Sequence, residues 1–133
     1  MLSVFPQLFA LQALAPFVLR LVLGTVFIVH GYPKLFKNFS ETAGFFGMLG
    51  LKPAKFWVLV VGITEFFGGW LLIVGLFTQV AAALIAIDMI VAILLVTRKK
   101  GFAGGYEFDL ALLAMALSLL VLGPGAFAFD VMF

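Results

Sequence analysis

Long apolar runs alternate with short polar or glycine–proline breaks along the whole chain. Four runs, at residues 16–32, 54–76, 79–97 and 106–122, are nearly continuous in apolar residues. A helix needs about 20 such residues to cross the hydrocarbon core of a bilayer. Pro16 suits a helix start, and the Gly123-Pro124-Gly125 turn is a firm helix stop. The pattern therefore predicts an all-α fold, an integral membrane four-helix bundle forming a single domain.

The breaks between the runs differ in length. Only a few residues around Thr78 join the second and third runs, so these helices should be antiparallel neighbours. The first run should stop near Pro33, because the residue before a proline avoids helical geometry. The longer link that follows, residues 34–53, carries several Phe residues and is expected to include a short interfacial helix. The first 15 residues lack a basic segment, which argues against a cleaved signal peptide and favours an interfacial lead-in.

Composition supports a lipid environment and excludes several function classes. The chain has 133 residues, of which 65% are hydrophobic and 11% are charged, whereas soluble domains have about 25% charged residues. The absence of cysteine excludes disulfides, thiolate metal sites and cysteine nucleophiles. The basic residues are too few and too scattered among short loops for a nucleic-acid interface. We expect membrane lipids as partners and no nucleic acid.

The basic residues separate cleanly by loop. They occur in the first and third loops, and the second loop has none: Lys34, Lys37, Lys52 and Lys55 in the first, and Arg98, Lys99 and Lys100 in the third. The positive-inside rule places loops of this kind in the cytoplasm. The sequence therefore predicts that both termini lie on the non-cytoplasmic side of a bacterial inner membrane that the chain crosses several times.

Two carboxylic acids, Glu65 and Asp88, lie in the middle of the second and third runs. An ionised carboxylate at the bilayer centre costs roughly 2.5–3.5 kcal/mol on insertion scales, so such residues usually face the bundle interior and often mark a site. Gly62 and Gly69 share a helix face with Glu65, and small residues let membrane helices approach closely. Glu65 is therefore expected on a helix-packing face, as a site residue or as a protonated structural carboxyl.

Three further residues, Arg20, His30 and Glu107, are candidates for this polar site. Arg20 could pair with Glu65 across about 10 Å of vertical offset, or it could extend to the outer headgroups. His30 could relay protons or bond a quinone carbonyl, or it could be an ordinary polar residue near the interface. Glu107 and Asp109 open the fourth helix, where acidic groups are stabilised by the helix dipole. Helical rise places Arg20 in one tier with Glu65 and Asp88, and His30 in another with Glu107 and Asp109.

Several short motifs, in this order, resemble the DoxX family. The motif of the first helix and the start of the loop after it consists of Leu19-Arg20-Leu21, Gly24, His30-Gly31 and Lys34. The second carries Glu65-Phe66-Phe67-Gly68-Gly69, followed by Gly75-Leu76 and Thr78. The end of the chain carries Gly105-Tyr106-Glu107, Gly123-Pro124-Gly125 and Asp130. The resemblance covers about residues 19–130 and implies a four-helix integral membrane protein.

The resemblance also implies a function, because the family is named after a small subunit of a terminal quinol oxidase or thiosulfate:quinone oxidoreductase. The first hypothesis is therefore a membrane subunit of, or accessory to, a quinone-linked oxidoreductase, in which Arg20, His30 and Glu65 line a quinone or proton site. Redox cofactors would then lie on a protein partner, with no metal and no covalently bound cofactor here. The alternatives are a non-catalytic scaffold or lipid-binding protein, acting with a partner or as a homo-oligomer, and a small proton-coupled transporter.

Overall fold

The computed structural model describes residues 2–132, and within them the chain is helical almost throughout. The α-helices are α1 (Leu14–Tyr32), α2 (Phe39–Met48), α3 (Ala54–Val74), α4 (Thr78–Ala92) and α5 (Glu107–Leu122). Short 3-10 turns occupy Pro6–Leu11, Arg98–Lys100 and Phe129–Met132. Four helices, those containing α1, α3, α4 and α5, are long and apolar enough to cross a membrane. The prediction of an all-α chain with four long apolar helices is therefore confirmed.

The first span does not stop at Pro33, and that prediction was wrong. The helix continues from α1 through a π-helical turn, Pro33–Lys37, in which the Asn38 N–H donates to the Pro33 carbonyl at 2.6 Å. A π-turn shifts the hydrogen-bond ladder by one residue, and proline, which has no N–H to donate, fits at its first position. Lys34 therefore belongs to the helix and not to a loop.

Helices α1 and α3 pack at very short range because glycines face each other. A Cβ on Gly69 would lie 2.6 Å from the Gly24 carbonyl oxygen and 2.9 Å from the Ile28 nitrogen. A Cβ on Gly31 would lie 2.5 Å from the backbone nitrogen of Phe66. These backbone contacts leave no room for a side chain, which is the arrangement that small residues permit between membrane helices. Because Phe66 directly follows Glu65 in the chain, the contact at Gly31 also fixes α1 beside Glu65.

The core is an apolar layer to which all four spans contribute. Buried side chains from each span meet there: Leu23 and Phe27 of α1, Leu72 of α3, Ile85 and Met89 of α4, and Leu112 and Leu119 of α5. Helix α2 packs separately on α3 through Ala43, Phe46 and Val58. The bundle thus has two ends. The basic end carries Lys34, α2 and the turn Arg98–Lys100, and the opposite end carries the α3–α4 turn and the Gly123-Pro124-Gly125 turn.

The α3–α4 turn is held by the C-terminal segment. Gly75 ends α3 in a left-handed conformation (φ 73°), and the Leu76 N–H donates to the Leu71 carbonyl at 3.0 Å, as in a Schellman cap. The Asp130 carboxylate accepts hydrogen bonds from the N–H groups of Phe77 (2.7 Å) and Thr78 (2.8 Å). A carboxylate in this position satisfies N–H groups at the start of α4, although it comes from a residue 52 positions away in the chain.

This contact makes the contribution of Asp130 to stability depend on pH. Burial alone would raise the pKa of Asp130, but hydrogen bonds from Thr78 and Phe77 and the nearby charge of Arg20 outweigh burial and lower it. An acid whose pKa is lower in the folded than in the unfolded state contributes stability at pH values above its unfolded pKa, which is about 4. This contribution is lost as the pH falls through the pKa of the folded state.

We therefore expect the melting temperature of the wild type in detergent to exceed that of Asp130→Asn by a constant amount between about pH 7 and pH 5, and the gap to close below about pH 4. Thermal melts of both proteins across this range measure the gap directly. Because other carboxyls titrate in both proteins, only the difference reports on Asp130. A gap that persisted at the lowest pH would contradict the role of the charge.

Candidate functional site

A partly buried ion pair between α3 and the π-turn that follows α1 is the centre of the candidate site. Lys34 Nζ lies 2.7 Å from Glu65 Oε2, and the two side chains are 22% and 6% exposed. Lys34 Nζ also donates to the His30 carbonyl at 3.2 Å. An ammonium has three N–H donors, so one remains for a ligand. The π-turn at Pro33 gives Lys34 its place on the helix, and the Gly31 contact brings that helix against Glu65.

Asp88 of α4 joins this pair. Its carboxyl group lies close to the carboxyl group of Glu65. Two neighbouring carboxyl groups repel each other when both are ionised, and a proton kept by one of them lets it donate a hydrogen bond to the other. Asp88 Oδ2 is buried, and no hydrogen-bond partner for it occurs within residues 2–132. Most buried polar atoms in proteins have a partner, so Asp88 Oδ2 is suited to a hydrogen-bonding group from outside the chain.

These side chains line a cavity of about 180 Å³ at the basic end of the bundle. Asp109 of α5 also lines it, and its Oδ2 accepts a hydrogen bond from the Thr97 hydroxyl at 3.0 Å. The rest of the wall is apolar, with α2 and the following turn contributing Phe45, Phe46, Leu49 and Leu51. The cavity therefore has one polar face, with one ammonium group and three carboxyl groups, inside an apolar wall. Such a cavity can hold a small polar group and exchange protons with it.

Arg20 lies elsewhere, so neither predicted arrangement, pairing with Glu65 or extension to the headgroups, is found. Its side chain is fully buried near the opposite end and donates only to backbone carbonyls. The five acceptors belong to the end of α3 and to the C-terminal segment: Leu72, Ile73, Pro124, Ala126 and Phe127. We call this set of bonds the Arg20 clamp. A cation at a helix C-terminus also complements the helix dipole.

His30 and Glu107 lie outside the cavity. Both side chains are exposed. The His30 ring lies 6.3 Å from the Phe108 ring, and the Glu107 carboxylate accepts the Gly104 N–H at 3.2 Å, across the start of α5. The second bond matches the helix-start role considered for Glu107. The predicted tiers are thus rearranged: Glu65 and Asp88 meet Lys34 and Asp109, while Arg20, His30 and Glu107 stand apart.

Two cavity residues, Lys34 and Asp109, were not among the predicted site residues. The general rule for proline ends the first helix at Pro33 and so places Lys34 in the first loop. Its spacing of three from Gly31 was the signal that it faces α3, once the helix continues. Asp109 was attributed to capping at the start of α5, and nothing in its local sequence indicates that it faces Thr97. Within residues 2–132, His, Asp and Glu side chains do not form a group of three that could hold a metal ion.

Comparison with known proteins agrees with the motifs. The family model described as DoxX matches residues 15–98. A Bacillus subtilis protein named "Putative oxidoreductase CatD" is 38% identical over 112 residues, which cover 84% of this chain and 81% of that protein. An uncharacterized membrane protein of Mycobacterium tuberculosis is 33% identical over 125 residues, covering 84% and 77%. An uncharacterized protein of Haemophilus influenzae is 35% identical over 118 residues, covering 84% and 85%.

No solved structure is significantly similar to this chain. The resemblance inferred from the motifs is confirmed by the family model, which covers well over half of the sequence. With four membrane-length helices and relatives that include a membrane protein, this multi-pass chain belongs to the DoxX family.

Proposed function

We propose that this chain is a small inner-membrane subunit of, or accessory to, a quinone-linked oxidoreductase, and that it binds the polar head of the quinone in the cavity beside Lys34, Glu65 and Asp88. The observation that carries the proposal is the cavity itself. It places an ion pair and an unpartnered carboxyl oxygen inside an apolar wall and within a membrane span. A relative named as an oxidoreductase supports the reaction class.

The residues present suit a quinone head. Lys34 has an N–H free for a carbonyl oxygen of the quinone. The aromatic side chains of Phe45 and Phe46 line the cavity, where they would contact the quinone ring. Sites that enclose a whole drug-sized ligand span about 300–1,000 Å³, so a cavity of about 180 Å³ holds a head group and leaves a long tail outside. A quinone with an isoprenoid tail meets both conditions, because its head is small enough for the cavity and its tail is long and apolar.

The chain's own residues would bind the quinone head and exchange protons with it. A bound quinone supplies two-electron, two-proton redox chemistry. Lys34 orients the head by donating a hydrogen bond, and Glu65 holds Lys34 in place. The Asp88 carboxyl, close to that of Glu65, would give up or accept a proton at its free oxygen. Electron-carrying cofactors would belong to a partner protein, and the basic end of the bundle would face the cytoplasm.

Glu65→Gln is expected to weaken quinone binding about tenfold or more, because the charge-assisted bond that positions Lys34 is lost. The measurement uses the purified protein in detergent and a ubiquinone analogue with an azido group on the ring. Saturable photolabelling should map to residues that line the cavity, such as Ala92 and Leu95, and labelling of Glu65→Gln should require about ten times more probe.

Glu41→Gln is the matched control, since Glu41 is exposed on α2 and does not line the cavity. It should label like the wild type. Absence of saturable labelling in the wild type, or equal labelling of Glu65→Gln, would reject the quinone site. In that case a scaffold or lipid-binding role, in which Lys34, Glu65 and Asp88 only fix the helix register, becomes the better explanation.

A further inference from the structure

A second space adjoins the cavity on the lipid-facing side of the bundle. It is an apolar groove of about 300 Å³ between α3 and α4. Helix α3 contributes Trp57, Val60 and Thr64, and α4 contributes Leu84 and Ile87. Leu84 and Ile87 are 48% and 57% exposed, so in a membrane these side chains meet the acyl chains. We call this space the α3–α4 groove.

The groove and the cavity are separated only by side chains that line both. Four residues are shared: Leu51, Val61, Asp88 and Val91. Asp88 is the only titratable member of this shared wall, and its Oδ2 has no hydrogen-bond partner within the described chain. A carboxyl group beside a lipid-facing groove is costly unless a polar group satisfies it. The polar end of one amphipathic molecule, reaching from the groove into the cavity, would do so.

We propose that the ligand enters from the bilayer between α3 and α4 and stays bound with its polar head in the cavity and its apolar tail in the α3–α4 groove. This inference rests on the proposed function and adds the route and the chemical class: a lipid-soluble molecule whose head offers an acceptor oxygen to Lys34 and, in its reduced quinol form, a hydroxyl donor to Asp88. The apolar side chains of the shared wall, Leu51, Val61 and Val91, are the ones that must move during entry.

Contacts between α3 and α4 explain why the α3–α4 groove lies at the depth of Asp88. Toward the opposite end, the helices are in ordinary contact, since a Cβ on Gly68 would lie 3.5 Å from Ile85 Cδ1. Asp88 follows Ile85 by one helical turn, and Thr64 precedes Gly68 by one turn. The groove therefore begins where the close contact ends, at the depth of the two carboxyl groups. On the other side of α3, the glycine contacts with α1 leave no comparable space.

The test uses a ubiquinone analogue with a diazirine in its isoprenoid tail, and a hydrocarbon of the same length with the same diazirine and no head. In the wild type, crosslinks from the quinone probe should concentrate on Leu84 and Ile87 and should be displaced by a short-tailed quinone. Crosslinks from the headless probe should spread over all lipid-facing helices. Identical crosslink patterns for both probes would mean that only bulk lipid occupies the groove, and would overturn the proposal.

A pair of variants tests the route independently. Thr64→Phe places a ring in the α3–α4 groove without altering a cavity residue, and should reduce displaceable tail crosslinking at least about fivefold. Thr25→Phe is the matched control, because Thr25 is exposed on α1 and bonds only to the Leu21 carbonyl. It should behave as the wild type. Melting temperatures of both variants show whether each is folded.

The outcomes separate this inference from the proposed function. Saturable ring-azide labelling in the cavity together with tail crosslinks on another face would overturn the route and leave the quinone site intact. Absence of saturable ring-azide labelling in the wild type would reject the quinone site, and the entry route between α3 and α4 with it. Unchanged crosslinking in a folded Thr64→Phe protein would overturn the route alone.

Discussion

Arg20→Gln should lower the melting temperature in detergent by about 10 °C or more, the largest effect expected of any single change. The Arg20 clamp satisfies carbonyls of five residues, and a buried polar group left without a partner costs roughly 1–3 kcal/mol. Losing several of these bonds at once would remove much of a typical stability of about 5–15 kcal/mol. Each kcal/mol is worth a few degrees in a domain of this size.

The clamp ties α1 to the end of α3 and to the C-terminal segment. Arg20 reaches the end of α3 and a segment more than 100 residues away in sequence. Arg20→Lys should fall between the wild type and Arg20→Gln, because lysine keeps the charge but lacks the planar set of five donors. Arg98→Gln, at an exposed position of the basic end, is the control and should melt as the wild type. If Arg20→Gln melted within a degree or two of the wild type, the clamp would contribute little.

Gly69→Ala should destabilise the bundle by about 1–3 kcal/mol, as overpacking generally does. The new methyl would collide with the Gly24 carbonyl and the Ile28 nitrogen. Because both atoms belong to the backbone of α1, relief requires the whole helix to move away from α3. That movement would also lengthen the contact between Lys34 and Glu65, so quinone photolabelling should fall along with the melting temperature.

The neighbouring Gly68→Ala is a close control for this change. The same methyl at Gly68 finds its nearest atom, Ile85 Cδ1, at 3.5 Å, and alanine is favoured over glycine in a helix by up to about 1 kcal/mol. Gly68→Ala should therefore be neutral or slightly stabilising. Equal melting temperatures for the two variants would contradict the close α1–α3 contact, since both substitutions make the same chemical change one residue apart.

The helices and one of the two central carboxyl groups could be predicted from the sequence, for specific reasons. Apolar length defines a membrane helix almost without regard to its neighbours. Glu65 shares its face with Gly62 and Gly69, so local spacing alone indicates that it points toward another helix, and its burial agrees. Asp88 has no comparable glycine stripe, and its contact with Glu65 emerges only when α3 and α4 are placed side by side.

The remaining site residues depend on features that local pattern does not encode. Lys34 reaches Glu65 because one π-helical turn carries the helix past Pro33, whereas the general rule for proline predicts a stop. Arg20 binds main-chain carbonyls, and main-chain groups leave no signature in the identity of side chains. A carboxylate was the expected partner because only side chains can be compared in a sequence. Asp130 is related to its helix start in the same nonlocal way.

The apolar layer between the two polar clusters has a bioenergetic consequence. Glu65 and Leu72 are seven residues apart on α3, or about 10 Å along the axis, and Leu23, Phe27 and Ile85 fill that level with hydrocarbon. Under the proposed function, a proton released at the cavity would meet an insulating barrier in the direction of Arg20, because moving a charge through such a layer is costly. Proton exchange at the cavity would then take place with one side of the membrane only.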